Sequence, residues 1–191
     1  MAKRLFDIVC SVIALTVLSP LFLVIAVLIK VDSKGPAIFK QKRAGLRDSE
    51  FNMYKFRTMI VDTPEVATDK LNNSQQYITS VGYYLRKYSL DELPQLINIL
   101  LGDMSIVGPR PALYNQYDLR QARNELGIAQ IRPGLTGWAQ VNGRDDIALE
   151  EKVSLDLYYH QNMSFIIDMQ IIYRTVFNVY SGDGVKVRTE S

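Results

Sequence analysis

From Leu5 to Ile29 the chain reads LFDIVCSVIALTVLSPLFLVIAVLI, 25 residues whose only formal charge is Asp7. About 20 apolar residues of helix are enough to cross the hydrocarbon core of a bilayer, so this run predicts membrane contact. It outlasts the h-region of a signal peptide, and no small-x-small cleavage site follows it, so the segment is expected to stay in the mature protein.

Ser19-Pro20 constrains how that helix can sit. Basic residues flank both ends: Lys3 and Arg4 before it, and Lys30, Lys34, Lys40, Lys42 and Arg43 after it. The positive-inside rule pulls both flanks to the cytoplasm, which a straight spanning helix cannot satisfy. Pro20 removes a backbone donor and frees the carbonyl of Thr16, and the Thr16 and Ser19 hydroxyls are placed to bond the freed groups inside lipid. The expectation is a helix-break-helix over residues 1–33 that enters and leaves on one face, broken at Ser19 and Pro20.

Of 191 residues, 48% are apolar, which leaves residues 34–180 enough material for one further domain with its own core. A single Cys10 excludes an internal disulfide, and a single His160 excludes a His-rich zinc or copper site. Any metal is therefore expected to take oxygen ligands, as Mg²⁺ or Mn²⁺ does. The formal charge is +2, yet Lys34 to Arg57 alone holds seven basic residues against Asp48 and Glu50. Basicity this local suits anionic lipid headgroups or a phosphate-rich substrate, and no nucleic acid partner is expected.

After Gly35-Pro36, AIFKQKRAGLRDSEFNMYKFRTM predicts two strands around a turn at Gly45, with the basic side chains on one face. From Leu71 to Ile99 the pattern becomes helical, with Leu93, Leu96, Ile97, Leu100 and Leu101 along one side and Gly102 as a stop. At the start of that helix YSLDELPQL offers two caps: Ser89 with Glu92 as a capping box, or Asp91 with Pro94 in the first turn. Either choice brings Asp91 and Glu92 to a helix N-terminus.

Arg86 and Lys87 precede the acidic pair by about one turn, and Pro109 and Pro111 hold Arg110 in a rigid extended segment. Arginine suits a bidentate hold on phosphate. RPGLTGWAQVNGRDD then gathers three glycines, Trp138, Gln140 and Arg144 in a loop where backbone could approach a nucleotide and the indole could stack on a base or simply anchor the loop. Asp156 and Asp168 are expected to cap helices or pair with arginines, His160 to be structural, and residues 181–191 to form a polar tail.

FKQKRAG, YKFRTM, LRKYSLDELPQLINILLGDMSIVGPRP and RPGLTGWAQVNGR, behind an apolar segment with a Ser-Pro break, resemble the bacterial sugar transferase family, the small monotopic phosphoglycosyltransferases. The resemblance runs from Lys3 to about Val179, several long motifs in order. It implies a compact, mostly helical α/β catalytic domain with a small β-hairpin and an N-terminal re-entrant membrane helix, at the cytoplasmic face of a bacterial inner membrane. It implies transfer of a sugar 1-phosphate from a UDP-sugar to undecaprenyl phosphate with release of UMP.

The same resemblance makes Asp91 the nucleophile that carries the phosphosugar and touches Mg²⁺, with Glu92 as neighbouring ligand or base. Lys55, Arg57, Arg86 and Arg110 become the phosphate clamp, and Gln140 and Arg144 candidates for the nucleotide or sugar. A homodimer is compatible with the sequence. Two other readings use the same residues: a non-catalytic membrane-surface module, and a membrane-anchored nucleotide-diphosphate hydrolase.

Overall fold

A computed structural model of the chain describes residues 2–61, 63, 74–143 and 147–180. The apolar run lies in one helix, α1 (Ala2–Asp32), 31 residues long with Pro20 inside it. The expected break is thus not an interruption of the helical backbone. Ser19 Oγ donates to the Thr16 carbonyl at 2.8 Å, the group that Pro20 leaves without its usual partner, and Thr16 Oγ1 donates to Val12 O at 2.9 Å. These local bonds let the helix absorb the proline without ending.

Two short sheets follow. β1 (Ile38–Ala44) and β2 (Glu50–Phe56) form the expected antiparallel hairpin, with Phe39 opposite Lys55 and Arg43 opposite Phe51. Strand alternation then divides the cations: Lys40 and Lys42 share one face, Arg43 and Lys55 the other. The expectation of one basic face is corrected, because the bases occur at both odd and even positions. β3 (Ser105–Val107) and β4 (Gly134–Thr136) pair in parallel.

The long helical pattern resolves into α2 (Ser80–Lys87), a 3₁₀ turn at Leu90–Glu92 and α3 (Gln95–Leu101), which ends at Gly102 with φ 98°. Neither expected cap forms. Ser89 adopts the left-handed region at φ 53° and makes no side-chain capping bond, and Pro94, not Asp91, stands at the N-cap of α3. The reversal at Ser89 swings the acidic pair out of helix register and into the body of the protein. The remaining helices are α4 (Tyr117–Glu125), α5 (Trp138–Asn142), α6 (Leu149–Gln161) and α7 (Phe165–Tyr180).

α1 packs along this body. Ala14 and Leu15 lie against Leu96, Ile99 and Met104, while Ile25 and Ile29 join Phe56 and Leu85. Both ends are fastened. Lys3 pairs with Asp168 of α7, Arg4 donates to the carbonyls of Ile99 and Leu100, and Asp7 accepts from the Ile106 amide at 3.1 Å. At the other end Asp32 accepts from the Val81 amide at 3.0 Å. Val12, Val17, Leu23, Val27 and Val31 stay exposed along the outer side, the apolar surface of a membrane-associated helix.

Candidate active site

Three elements converge on the Leu90–Glu92 turn. β2 brings Lys55, the segment after β3 brings Arg110, and α2 brings Arg86. Glu92 is gripped from two sides: Lys55 Nζ and Arg110 Nη2 each lie 2.7 Å from its Oε1, and Arg110 Nη1 lies 3.4 Å from its Oε2. Its burial would raise the carboxyl, but Arg110 and Lys55 together hold it far below the usual carboxylate range. The role of base does not suit a carboxylate held ionised this firmly, and its Oε1 is shared between two cations. Glu92 instead fixes the positions of Lys55 and Arg110.

Asp91 differs in every respect. It is buried, 8% exposed, and among the described residues its carboxylate has one ion-pair partner, Lys55 at 3.9 Å, and no hydrogen bond. Burial pushes its carboxyl up, Lys55 draws it down, and the neighbouring charge of Glu92 raises it again; the net direction is upward. Arg86 Nε is held by Thr58 Oγ1 at 2.9 Å, and its charge is felt at Asp91. A carboxylate with unshared lone pairs beside three cations can attack phosphorus or ligate a hard cation.

Arg57 is not in this cluster. Its guanidinium donates to Lys34 O at 2.7 Å and to Ser33 O and Oγ at 2.8 and 2.9 Å, so it closes the C-terminal end of α1. The expected phosphate contact is corrected to a structural one: Arg57 stands just past the end of β2, where its guanidinium reaches the carbonyls that the end of α1 leaves without helical partners. Gln140 donates to Leu135 O at 3.3 Å, which leaves its buried Oε1 without a partner, and it makes no contact with the acidic pair among the described residues. Arg144 lies outside the described residues. Trp138 stacks on Tyr158 at 5.1 Å with Arg174 over its ring, so the indole anchors its loop.

A support behind Arg110 was only half legible. Asp156, expected to pair with an arginine, is bonded by Arg123 Nε at 3.0 Å, and Arg123 Nη1 donates to Arg110 O at 2.8 Å. Asp168 accepts from Tyr159 at 2.7 Å and pairs with a lysine, Lys3. Arg43 was missed as a site residue. It shares the Lys55 face of the hairpin, and its charge is felt by Glu92 and Arg110. Counting alternate positions back from Lys55 across the turn was the signal that could have found it.

Among the described residues no three His, Cys, Asp or Glu side chains converge as a metal cage. With Glu92 Oε1 shared between two cations, Asp91 is the less engaged carboxylate of the pair. Mg²⁺ commonly takes one or two carboxylates and completes its shell with water and substrate phosphate, so this donor set fits it.

Residues 1–182 match the family model described as bacterial sugar transferase. The chain belongs to the bacterial sugar transferase family. This sugar transferase is 40% identical over 187 residues to the uncharacterized sugar transferase EpsL of Bacillus subtilis, with 96% of this chain and 90% of that protein covered. It is 40% identical to the exopolysaccharide production protein ExoY of Rhizobium meliloti, covering 92% of this chain and 84% of the relative. It is 39% identical to the UDP-glucose:undecaprenyl-phosphate glucose-1-phosphate transferase of Escherichia coli, where 92% of this chain matches 39% of a longer protein.

Proposed function

We propose that the protein transfers a sugar 1-phosphate from a UDP-sugar to undecaprenyl phosphate and releases UMP, with Asp91 as covalent carrier. The observation behind this reading is the division of labour in one buried pair: Glu92 is locked by two cations, and Asp91 beside it is left with free lone pairs. Relatives named as undecaprenyl-phosphate glucose and galactose phosphotransferases support the substrates.

In the first step an Asp91 carboxylate oxygen attacks the β-phosphorus. The bond from that phosphorus to the bridging oxygen breaks, and UMP departs with the electron pair. In the second step a phosphate oxygen of the lipid attacks the same phosphorus, and the Asp91 carboxylate leaves. The acyl phosphate between them is a high-energy species, so transfer onward stays accessible. Lys55, Arg86 and Arg110 offset the repulsion between carboxylate and pyrophosphate, and Glu92 keeps Lys55 and Arg110 from collapsing onto Asp91. A Mg²⁺ or Mn²⁺ held by Asp91 and substrate oxygens would supply further neutralisation of the transferring phosphate.

α1 serves this chemistry as a monotopic anchor at the cytoplasmic face of the inner membrane. Its two ends are fastened to one globular body, through Lys3 and Arg4 at the start and Asp32 and Arg57 at the end, which favours entry and exit on the same side. Such a helix holds the cleft at headgroup depth, where the lipid presents its phosphate.

The test is UMP release by detergent-purified protein from a panel of UDP-sugars with Mg²⁺. The expected result is one equivalent per enzyme without undecaprenyl phosphate, turnover with it, and neither in Asp91→Asn. Continuous release without the lipid would make the protein a hydrolase, and a fully active variant would remove Asp91 from the chemistry.

A further inference from the structure

Among the described residues, every hydrogen bond of the Arg43 side chain goes to a neutral oxygen. Nε and Nη2 lie 3.1 and 2.6 Å from Gln41 Oε1, and Nη1 lies 2.9 Å from Pro111 O. Among the described residues no carboxylate forms an ion pair with it. Pro111 follows Arg110 directly, and the Ala44 amide donates to Ala112 O at 2.9 Å, so the hairpin end and the Pro109–Pro111 segment are tied together. Arg43 is thereby held close enough to Arg110 for the two cations to repel.

Burial and the neighbouring Arg110 lower the Arg43 guanidinium to about 10, against a smaller opposing pull from Glu92. Around the acidic pair stand four cations, Arg43, Lys55, Arg86 and Arg110, against two carboxylates. Arg110 is already paired with Glu92 and partly exposed, whereas Arg43 has only neutral oxygens among the described residues, so a second anion that bridges the two guanidinium groups would relieve their repulsion. Pyrophosphate or phosphate oxygens match the planar fork of each group.

We infer that Arg43 is a phosphate-binding residue, forming with Arg110 a two-arginine seat for a phosphate group of a substrate. The identity of that phosphate rests on the phosphosugar-transfer reading; the seat does not. Two groups fit it chemically, the diphosphate of the nucleotide sugar and the monoester of the lipid acceptor.

The full chain in detergent, as wild type, Arg43→Gln and Arg43→Lys, is titrated with inorganic pyrophosphate by calorimetry. The Gln variant removes the charge and keeps a shorter, polar side chain with an amide donor. It is expected to bind pyrophosphate about tenfold or more weakly, the loss of a charge-assisted contact. Wild-type affinity in Arg43→Gln would overturn the inference and leave Arg43 a fastener of the Pro111 carbonyl. Should the Gln variant not fold, Arg43→Lys is expected to weaken pyrophosphate severalfold, and wild-type affinity there would overturn it equally.

Kinetics then separate the sources. With both substrates present, a raised KM confined to the UDP-sugar assigns the seat to the donor, and one confined to undecaprenyl phosphate assigns it to the lipid. Both KM values unchanged would overturn the inference. Absence of any acceptor-free UMP in wild type would remove the covalent reading alone, because the pyrophosphate titration does not depend on it.

Discussion

Arg123 donates a 2.8 Å hydrogen bond to the carbonyl oxygen of Arg110, while its Nε and Nη2 hold Asp156 of α6. The guanidinium that grips Glu92 is thus set by a second, buried ion pair one layer behind it. Asp156→Asn leaves Arg123 with an uncompensated buried charge, which typically costs about 3–5 kcal/mol. The variant is expected to melt well below wild type and, where still folded, to lose kcat more than donor affinity. Thermal melts with UMP-release kinetics check this; an unchanged melting temperature would disconnect the pair from Arg110.

Glu92→Gln removes the charge that holds Lys55 and Arg110 apart from Asp91. Lys55, 3.9 Å from Asp91 Oδ2, is then free to close on it and quench the nucleophile. Loss of preorganised charge of this kind commonly costs about 10²-fold or more in kcat. Steady-state UMP release at saturating UDP-sugar reads this, and a variant within a few-fold of wild type would contradict it.

The Asp91 carboxyl is held above its ordinary value chiefly by burial. The unfolded chain titrates this group at the ordinary aspartate value, so between the two the native state binds the extra proton. Stability therefore falls as pH rises through that window and levels off above it. In metal-free protein Asp91→Asn escapes this loss, and at neutral pH it is expected to melt at or above wild type while being inactive. A variant that melts clearly lower at neutral pH, with no difference in pH slope, would contradict the direction.

Gly108, Gly134 and Gly137 let β3 and β4 cross at backbone contact. A Cβ on Gly108 would stand 2.4 Å from Arg132 O and 2.9 Å from Gly134 N, both main-chain atoms that cannot swing aside. Gly108→Ala is expected to cost about 3 kcal/mol or more, the upper end of overpacking effects, and to displace Arg110 two residues on. Denaturation and pyrophosphate affinity should fall together in this variant.

Replacing Ser19 and Pro20 with Ala and Leu removes the proline from α1, yet Lys3, Arg4 and Asp7 still fasten its start to α7, α3 and β3. The N-terminus of that double variant is expected to stay on the side of the globular body. It should cross only when Lys3, Arg4 and Asp7 are also changed to Ala. Labelling of a cysteine placed at residue 2 in sealed vesicles distinguishes the two, and crossing by the double variant alone would show that the anchors are too weak to hold it.

Local rules carried the reading of the chain as far as they reach. Apolar length marked α1, alternation around Gly45 marked the hairpin, and the side-chain oxygens before Pro20 predicted how the helix would survive it. Asp91, Glu92, Arg86 and Arg110 stood out because charged groups clustered beside turn and proline signals, while the place of Lys55 beside them and the role of Asp91 came with the resemblance to the family. What a residue faces across the fold is not a local property. Arg57 sits two positions from Lys55, but it turns to the end of α1 rather than to phosphate. Arg43 lies far from Arg110 in sequence and comes near it only because the hairpin docks on the segment that follows Arg110, where Arg43 bonds the Pro111 carbonyl. The left-handed turn at Ser89, which no propensity announced, carries Asp91 and Glu92 together to where two cations clamp Glu92 and leave Asp91 without a hydrogen bond among the described residues. Sequence determined which charges lie beside the turn and proline signals; tertiary packing alone decided which of them enter the site and which are paired, because both depend on distances between elements that the chain order does not encode.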